Sequence, residues 1–110
     1  MEKLVKGDVV VLPFPFSDLS ALKKRPAVVV AALQGDDVIC CQITSRARFG
    51  AYSIILNTSD FKQGNLPQIS MIRPNKVFTA DKAIISYAIG KLKEKKIKEI
   101  ENVLVKIFTS

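Results

Sequence analysis

Residues 23–45, KKRPAVVVAALQGDDVICCQITS, decide how the chain folds. Three cations, Lys23, Lys24 and Arg25, run into Pro26 and then into seven apolar residues, Ala27 to Leu33. Proline has no backbone donor but is tolerated as the first residue of a strand, so the apolar run reads as a strand opening at Arg25-Pro26. Gly35, Asp36 and Asp37 supply a turn, and DVICCQIT reads as the returning strand of a hairpin. The apolar residues of the two strands do not alternate with polar ones. Both faces must therefore be covered, one by a core and the other by a helix or a second subunit. Antiparallel pairing across the turn brings Arg25 to the end of the hairpin where Thr44 and Ser45 also lie.

Outward from the hairpin, Gly7-Asp8 precede VVVLPF, a β-branched run that reads as the first strand. Pro13 and Pro15 interrupt regular pairing, so residues 13–24 read as a long, mostly exposed loop carrying Phe14, Phe16 and Asp18. RARFGA, with Arg46 and Arg48, is a basic loop, and YSIIL is a fourth strand. NTSDFKQGNLP reads as a polar connection with one helical turn. QISMIRP and KVFTAD form a strand interrupted near Pro74 and Asn75. AIISYAIGKL is a last strand in which Gly90 marks a bulge or a close backbone approach. From about Lys93 to Phe108, Ile97, Ile100, Leu104 and Ile107 recur at helical spacing, with Val103 and Phe108 widening the stripe. Lys93 stands where Ser, Thr or Asp would cap the helix better. The sum is one mainly β (α+β) domain over residues 1–110: a small, strongly bent sheet or barrel packed by a C-terminal amphipathic helix.

The composition narrows the function classes. The 110 residues include 48% hydrophobic ones, enough to fold without metal or disulfide staples. No apolar run approaches the ~18–20 residues that span a bilayer, and the N-terminus lacks a cleavage-site pattern. A cytoplasmic location is expected. Cys40 and Cys41 are strand neighbours pointing to opposite faces, so they read as buried free thiols rather than a bridge or a metal site. The net charge of +7 favours a polyanionic partner, usually nucleic acid. Asp60 is the only acid between Val38 and Ala80, and all four arginines, Arg25, Arg46, Arg48 and Arg73, precede the C-terminal lysine-rich part. Guanidinium forks suit bidentate phosphate contacts.

The chain has no histidine, which excludes Ser-His and Cys-His triads and His-pair nucleases. No phosphate-binding G-x-x-x-x-G-K-[ST] loop occurs. What remains for chemistry is arginines and hydroxyls at strand ends: Arg25, Thr44, Ser45 and Arg73. A guanidinium beside a hydroxyl can bind a phosphodiester and stabilise the extra charge of a pentacoordinate transition state. Taken singly, Arg25 reads as a salt-bridged or solvated charge, and Thr44 and Ser45 read as turn caps.

Taken together, GDVVVLPFPFSDLSALKKRPAVVV, VICCQITS, YSIIL, SMIRPNKVFTADKAII and IGKL, in this order and spacing, resemble the MazF/PemK toxins of type II toxin–antitoxin systems from Gly7 to about Leu92. The resemblance implies a five- to seven-stranded SH3-like β-barrel of the MazF/CcdB type with a C-terminal helix, and a homodimer. It implies a metal-independent, cofactor-free endoribonuclease that cuts single-stranded RNA at short sequences. The substrate's own 2′-hydroxyl would be the nucleophile, leaving a 2′,3′-cyclic phosphate and a 5′-hydroxyl. The family's arginine falls on Arg25 and its hydroxyl on Thr44, with Ser45 adjacent. RNA contacts are expected from Lys23, Lys24, Arg46, Arg48, Arg73 and Lys76. The loop with Phe14, Phe16 and Asp18 would gate the groove, which a cognate antitoxin would block. Asn75 departs from the pattern: some relatives carry an acidic general base there, and an asparagine cannot take the proton. Two other readings use different features. A CcdB-like toxin that binds a protein such as DNA gyrase does not need the Arg25/Thr44 pair. A non-catalytic RNA-binding module would have only Tyr52, Tyr87 and the phenylalanines to stack bases.

Overall fold

The computed structural model describes residues 3–14, 23–45 and 50–110. The strands are β1 (Asp8–Pro13), β2 (Lys24–Ala32), β3 (Asp37–Thr44), β4 (Ile54–Leu56), β5 (Phe61–Gly64), β6 (Ser70–Asp81) and β7 (Tyr87–Leu92); α1 (Glu94–Thr109) follows. β2 and β3 form the expected hairpin, with Ala27 opposite Gln42, Val28 opposite Cys41 and Val29 opposite Cys40. Gly35 in its turn has φ +82, a left-handed conformation that side chains disfavour.

The pleat sends alternate residues of this hairpin into two separate cores. Ala27, Val29 and Cys40 pack with Leu4, Leu12, Phe14, Phe78 and Ile85. Val28, Cys41 and Ile43 pack with Phe61, Ile72, Leu92 and Ile100 of α1. Cys40 and Cys41 are thus buried, free and on opposite faces, as their adjacency predicts. Burial pushes both thiols up to about 12, and Cys40 adds to the rise at Cys41. One chain covers both faces of β2 and β3. Of the two coverings the sequence allows for the second face, the helix supplies it, so this apolarity by itself does not call for a second subunit.

Seven strands make one sheet in the order β4-β6-β3-β2-β1-β7-β5, with antiparallel neighbours throughout. Strands β5 and β6 are successive in the chain yet stand five strand spacings apart, ~24 Å in a flat sheet. The six steps from Gly64 to Ser70 reach at most ~20–22 Å. A flat sheet would overstretch this link, so the sheet curls into a half-barrel and residues 65–69 cross its mouth.

The Gly7-Asp8 pair anchors the start of β1. Gly7 has φ +96, and a Cβ there would sit 2.5 Å from Ile97 Cδ1. Its N–H donates to the Val29 carbonyl, and its own carbonyl accepts from Leu92, tying β1 between β2 and β7. The buried Asp8 carboxylate accepts from the Val5 N–H at 2.9 Å and from Lys91 Nζ at 2.7 Å. In α1, Ile100 is buried, and Ile97, Val103 and Leu104 pack on the same core. Lys93 makes no side-chain cap, as its identity suggests. The first turn is held instead by Lys96, whose Nζ reaches the Ile55 carbonyl and the Asp60 and Glu99 carboxylates. Phe108 lies on the apolar stripe but is exposed at the helix end.

Four local readings are refined. The polar connection does contain a helical turn, Thr58–Asp60, but β5 follows it directly. That strand buries only Phe61, so it leaves no alternating pattern to read. The interruption expected near Pro74 and Asn75 is a bulge within one strand: Gln42 pairs with Arg73 and Cys41 with Val77, so Pro74, Asn75 and Lys76 bulge out of the ladder. β7 opens only at Tyr87, after a 3-10 turn at Lys82–Ile84 that the Asp81 carboxylate caps by accepting from the Ala83 N–H. Finally, Phe14, at the start of the mostly exposed stretch after β1, is itself docked in the core and so is not a gating side chain. It is buried edge-on against Phe78, with ring centroids 5.2 Å apart.

Candidate active site

β2 begins and β3 ends at the same edge of the half-barrel. Continuing the register of Ala27 with Gln42 by two residues sets Arg25 opposite Thr44. Leu12 stands opposite Arg25, and Met71 opposite Thr44. Ala27 and Gln42 share a face as a ladder pair, and alternation two residues further along each strand puts Arg25 and Thr44 on that same side of the sheet. Thr44 is buried and Arg25 half-buried.

A cleft of about 390 Å³ opens at this edge, lined by Lys23, Lys24, Arg25 and Pro26, by Ile43, Thr44 and Ser45, and by the crossing segment with Leu66, Pro67, Gln68 and Ser70. Among these residues three are cations, three carry hydroxyls and none is acidic. No carboxylate among the described residues ion-pairs with Lys23, Lys24 or Arg25. Cations beside hydroxyls in a cleft this size suit an anion, and the guanidinium can grip a phosphate through two parallel hydrogen bonds. A larger hollow of about 520 Å³ lies by Lys3, Asp8 and Lys91. Its buried charge, Asp8, is already satisfied by Lys91 and the Val5 N–H, so it offers less to a ligand.

Of the residues singled out in the sequence, Lys23, Lys24, Arg25, Thr44 and Ser45 converge on this cleft. Arg73 pairs with Gln42, two positions along from Thr44, so it shares the face of Arg25 and Thr44 without lining the cleft. Lys76 and Asn75 are exposed on the β6 bulge and are not among the cleft's described lining residues. Phe14 belongs to the core. Phe16, Asp18, Arg46 and Arg48 lie outside the described residues. The third wall, Leu66 to Ser70, was not singled out, because only the curl of the sheet brings it here. Among the described residues, no three His, Cys, Asp or Glu side chains are grouped to hold a metal ion. None of the described helices is long and apolar enough to cross a membrane.

Residues 5–108 match the family model of the PemK-like, MazF-like toxins of type II toxin–antitoxin systems. The chain belongs to this family. The half-barrel and C-terminal helix of this MazF-like toxin also recur in solved structures. A mycobacterial endoribonuclease in complex with its cognate antitoxin superposes with a TM-score of 0.76 at 14% identity, covering 96% of this chain and 95% of that one. MazF from Deinococcus radiodurans gives 0.75 at 18% identity, with 97% of each chain covered. The Mycobacterium tuberculosis toxin MazF-mt6 gives 0.71 at 16% identity, covering 92% and 95%. Comparison with curated protein sequences found no significant match. At such low identities the superpositions establish the fold of this MazF-like toxin, while its cleft has to be read from its own residues.

Proposed function

We propose that this toxin is a sequence-specific, metal-independent endoribonuclease that cleaves single-stranded RNA and so inhibits translation and growth. The observation that carries the reading is the cleft itself: Arg25 and Thr44 both line it where β2 begins and β3 ends, flanked by Lys23, Lys24 and Ser45, with no acid among its described lining residues. In this reading the substrate's 2′-oxygen attacks phosphorus as the bond from phosphorus to the 5′-oxygen breaks. The products are a 2′,3′-cyclic phosphate and a 5′-hydroxyl. The attacking hydroxyl loses its proton to water, and the leaving oxygen takes one back from water. Arg25 neutralises the charge gathering on the non-bridging oxygens, and the Thr44 hydroxyl orients one of them. Lys23 and Lys24 raise the local concentration of RNA. Asn75 takes no part, because it cannot accept a proton and is not among the cleft's described lining residues.

The active form is a cytoplasmic homodimer held in check by a cognate antitoxin. Exposed Tyr52, Ile55 and Ile69, in or beside β4 and the start of β6, support a partner surface next to the site. The test is incubation of purified protein with a long defined single-stranded RNA in EDTA, followed by mapping of the ends. Discrete cuts leaving 5′-hydroxyl termini are expected, and Arg25→Ala should slow them at least ~10²-fold while the fold survives. Full activity in that variant would sink the assignment.

A further inference from the structure

Resting on that reading, we infer that the segment crossing the mouth of the half-barrel selects the RNA sequence, with Gln68 reading a base beside the scissile phosphate and Ser70 holding Gln68 in place. Leu66, Pro67 and Gln68 form the wall of the cleft that faces the strand ends carrying Arg25 and Thr44. A phosphate gripped by Arg25 leaves its neighbouring bases within reach of that wall. Single-stranded RNA is read by hydrogen bonds to the edges of unstacked bases. Gln68 is the one side chain among the three with an amide, and an amide both donates and accepts.

The wall is anchored along its length. It departs from Gly64, whose φ is +75 and where any Cβ would collide with the Ile89 carbonyl of β7. Leu66 packs into the core beneath, and its N–H donates to the Asn65 side-chain oxygen at 2.8 Å. Pro67 restricts the backbone next to Gln68. At the far end the buried Ser70 hydroxyl donates to the Gln68 carbonyl at 3.1 Å. A reader must be held to a fraction of an ångström to discriminate between bases, and these anchors are what a base-reading wall needs. Ser70 acts through Gln68 and is a positioning residue.

The experiment is cleavage of a randomised single-stranded RNA pool by the full chain, with cut sites sequenced. Gln68→Ala should keep the folded melting temperature, since Gln68 is exposed, and lose ~10-fold of its discrimination at one position adjacent to the cut, as removing a bidentate base contact does. Ser70→Ala should shift the same position by a smaller factor, and Ser70→Thr, which restores the hydroxyl, should recover it. An unchanged cut-site profile in an active Gln68→Ala enzyme overturns this inference and leaves the nuclease reading intact. If Gln68→Ala is folded but does not cut, competition between oligonucleotides blocked by a 2′-deoxy substitution at the scissile position gives the same readout, and unchanged preference overturns it again. Absence of cutting by the wild-type chain overturns both readings.

Discussion

Gln42 stands opposite Arg73 across β3 and β6, and this pairing puts Arg73 on the same side of the sheet as Arg25 and Thr44. It also fixes its distance from them, because Thr44 pairs with Met71, one step nearer the cleft on that face. Arg73 can therefore hold RNA next to the reacting group without touching it. Arg73→Ala is predicted to raise KM with little change in kcat, and to lower the salt slope of RNA binding by ~0.7, the loss of one single-strand phosphate contact. Arg25→Ala should instead lower kcat. Equal kcat losses in the two variants would contradict this division of labour.

The β6 bulge yields a second prediction. Asn75 is exposed there and is not part of the cleft lining. Asn75→Asp, which restores a carboxylate, should leave the cleavage rate within about twofold and introduce no new ionisation near pH 4 in the pH–rate profile, close to where an unperturbed Asp titrates. A large rate gain that follows the titration of the new carboxylate would show that the bulge reaches the substrate after all.

Gly90 is predicted to be irreplaceable for steric reasons. A Cβ there would meet the Gln63 carbonyl oxygen at 2.6 Å and the Phe61 ring at 2.9 Å. Gly90→Ala should pry β5 from β7 and cost about 1–3 kcal/mol by overpacking, read as a lower midpoint in urea. A midpoint at or above wild type would refute the close approach.

The paired thiols set an alkaline limit. Their folded pKa values lie near 12, above the ordinary thiol value of 9.0. A raised folded pKa means the unfolded chain loses its protons first as pH climbs. Stability from this source is complete below about pH 9 and is lost between about 9 and 12, at up to ~1.4 kcal/mol per pH unit for each thiol. Cys40→Ala with Cys41→Ala should flatten that slope in denaturant titrations, and the wild-type thiols should react with a disulfide reagent at neutral pH only on unfolding. Fast labelling of the native protein would disprove the burial.

Val29→Glu probes the cores rather than the oligomer. Val29 is fully buried within one chain, so the unpaired charge should unfold the protomer itself. A folded monomer of this variant, seen by circular dichroism and sedimentation together, would place Val29 at an interface instead.

The hairpin was legible because its signals are local: a proline at a strand start, a glycine turn and an unbroken apolar run. From those, the meeting of Arg25 with Thr44 follows by counting residues. The helix was legible from its period. What escaped was set by long-range geometry. β5 has one buried residue and pairs only at the sheet edge, so nothing in FKQG announces a strand. Phe14 sits among prolines in sequence, and only the curl of the sheet brings Phe78 to it. The Leu66–Ser70 wall of the cleft escaped for the same reason, since the linear sequence separates it from Arg25 by some forty residues.

The short link between Gly64 and Ser70 makes a chain length into a dimension of the site. The segment that joins the two strands bends at Pro67 and Gln68 and is itself the rim of the cleft. Adding a residue there would let the rim recede. Removing one would pull the rim towards Arg25. Relatives that differ only in the length of this link would then grip their ligands at different widths on an unaltered sheet.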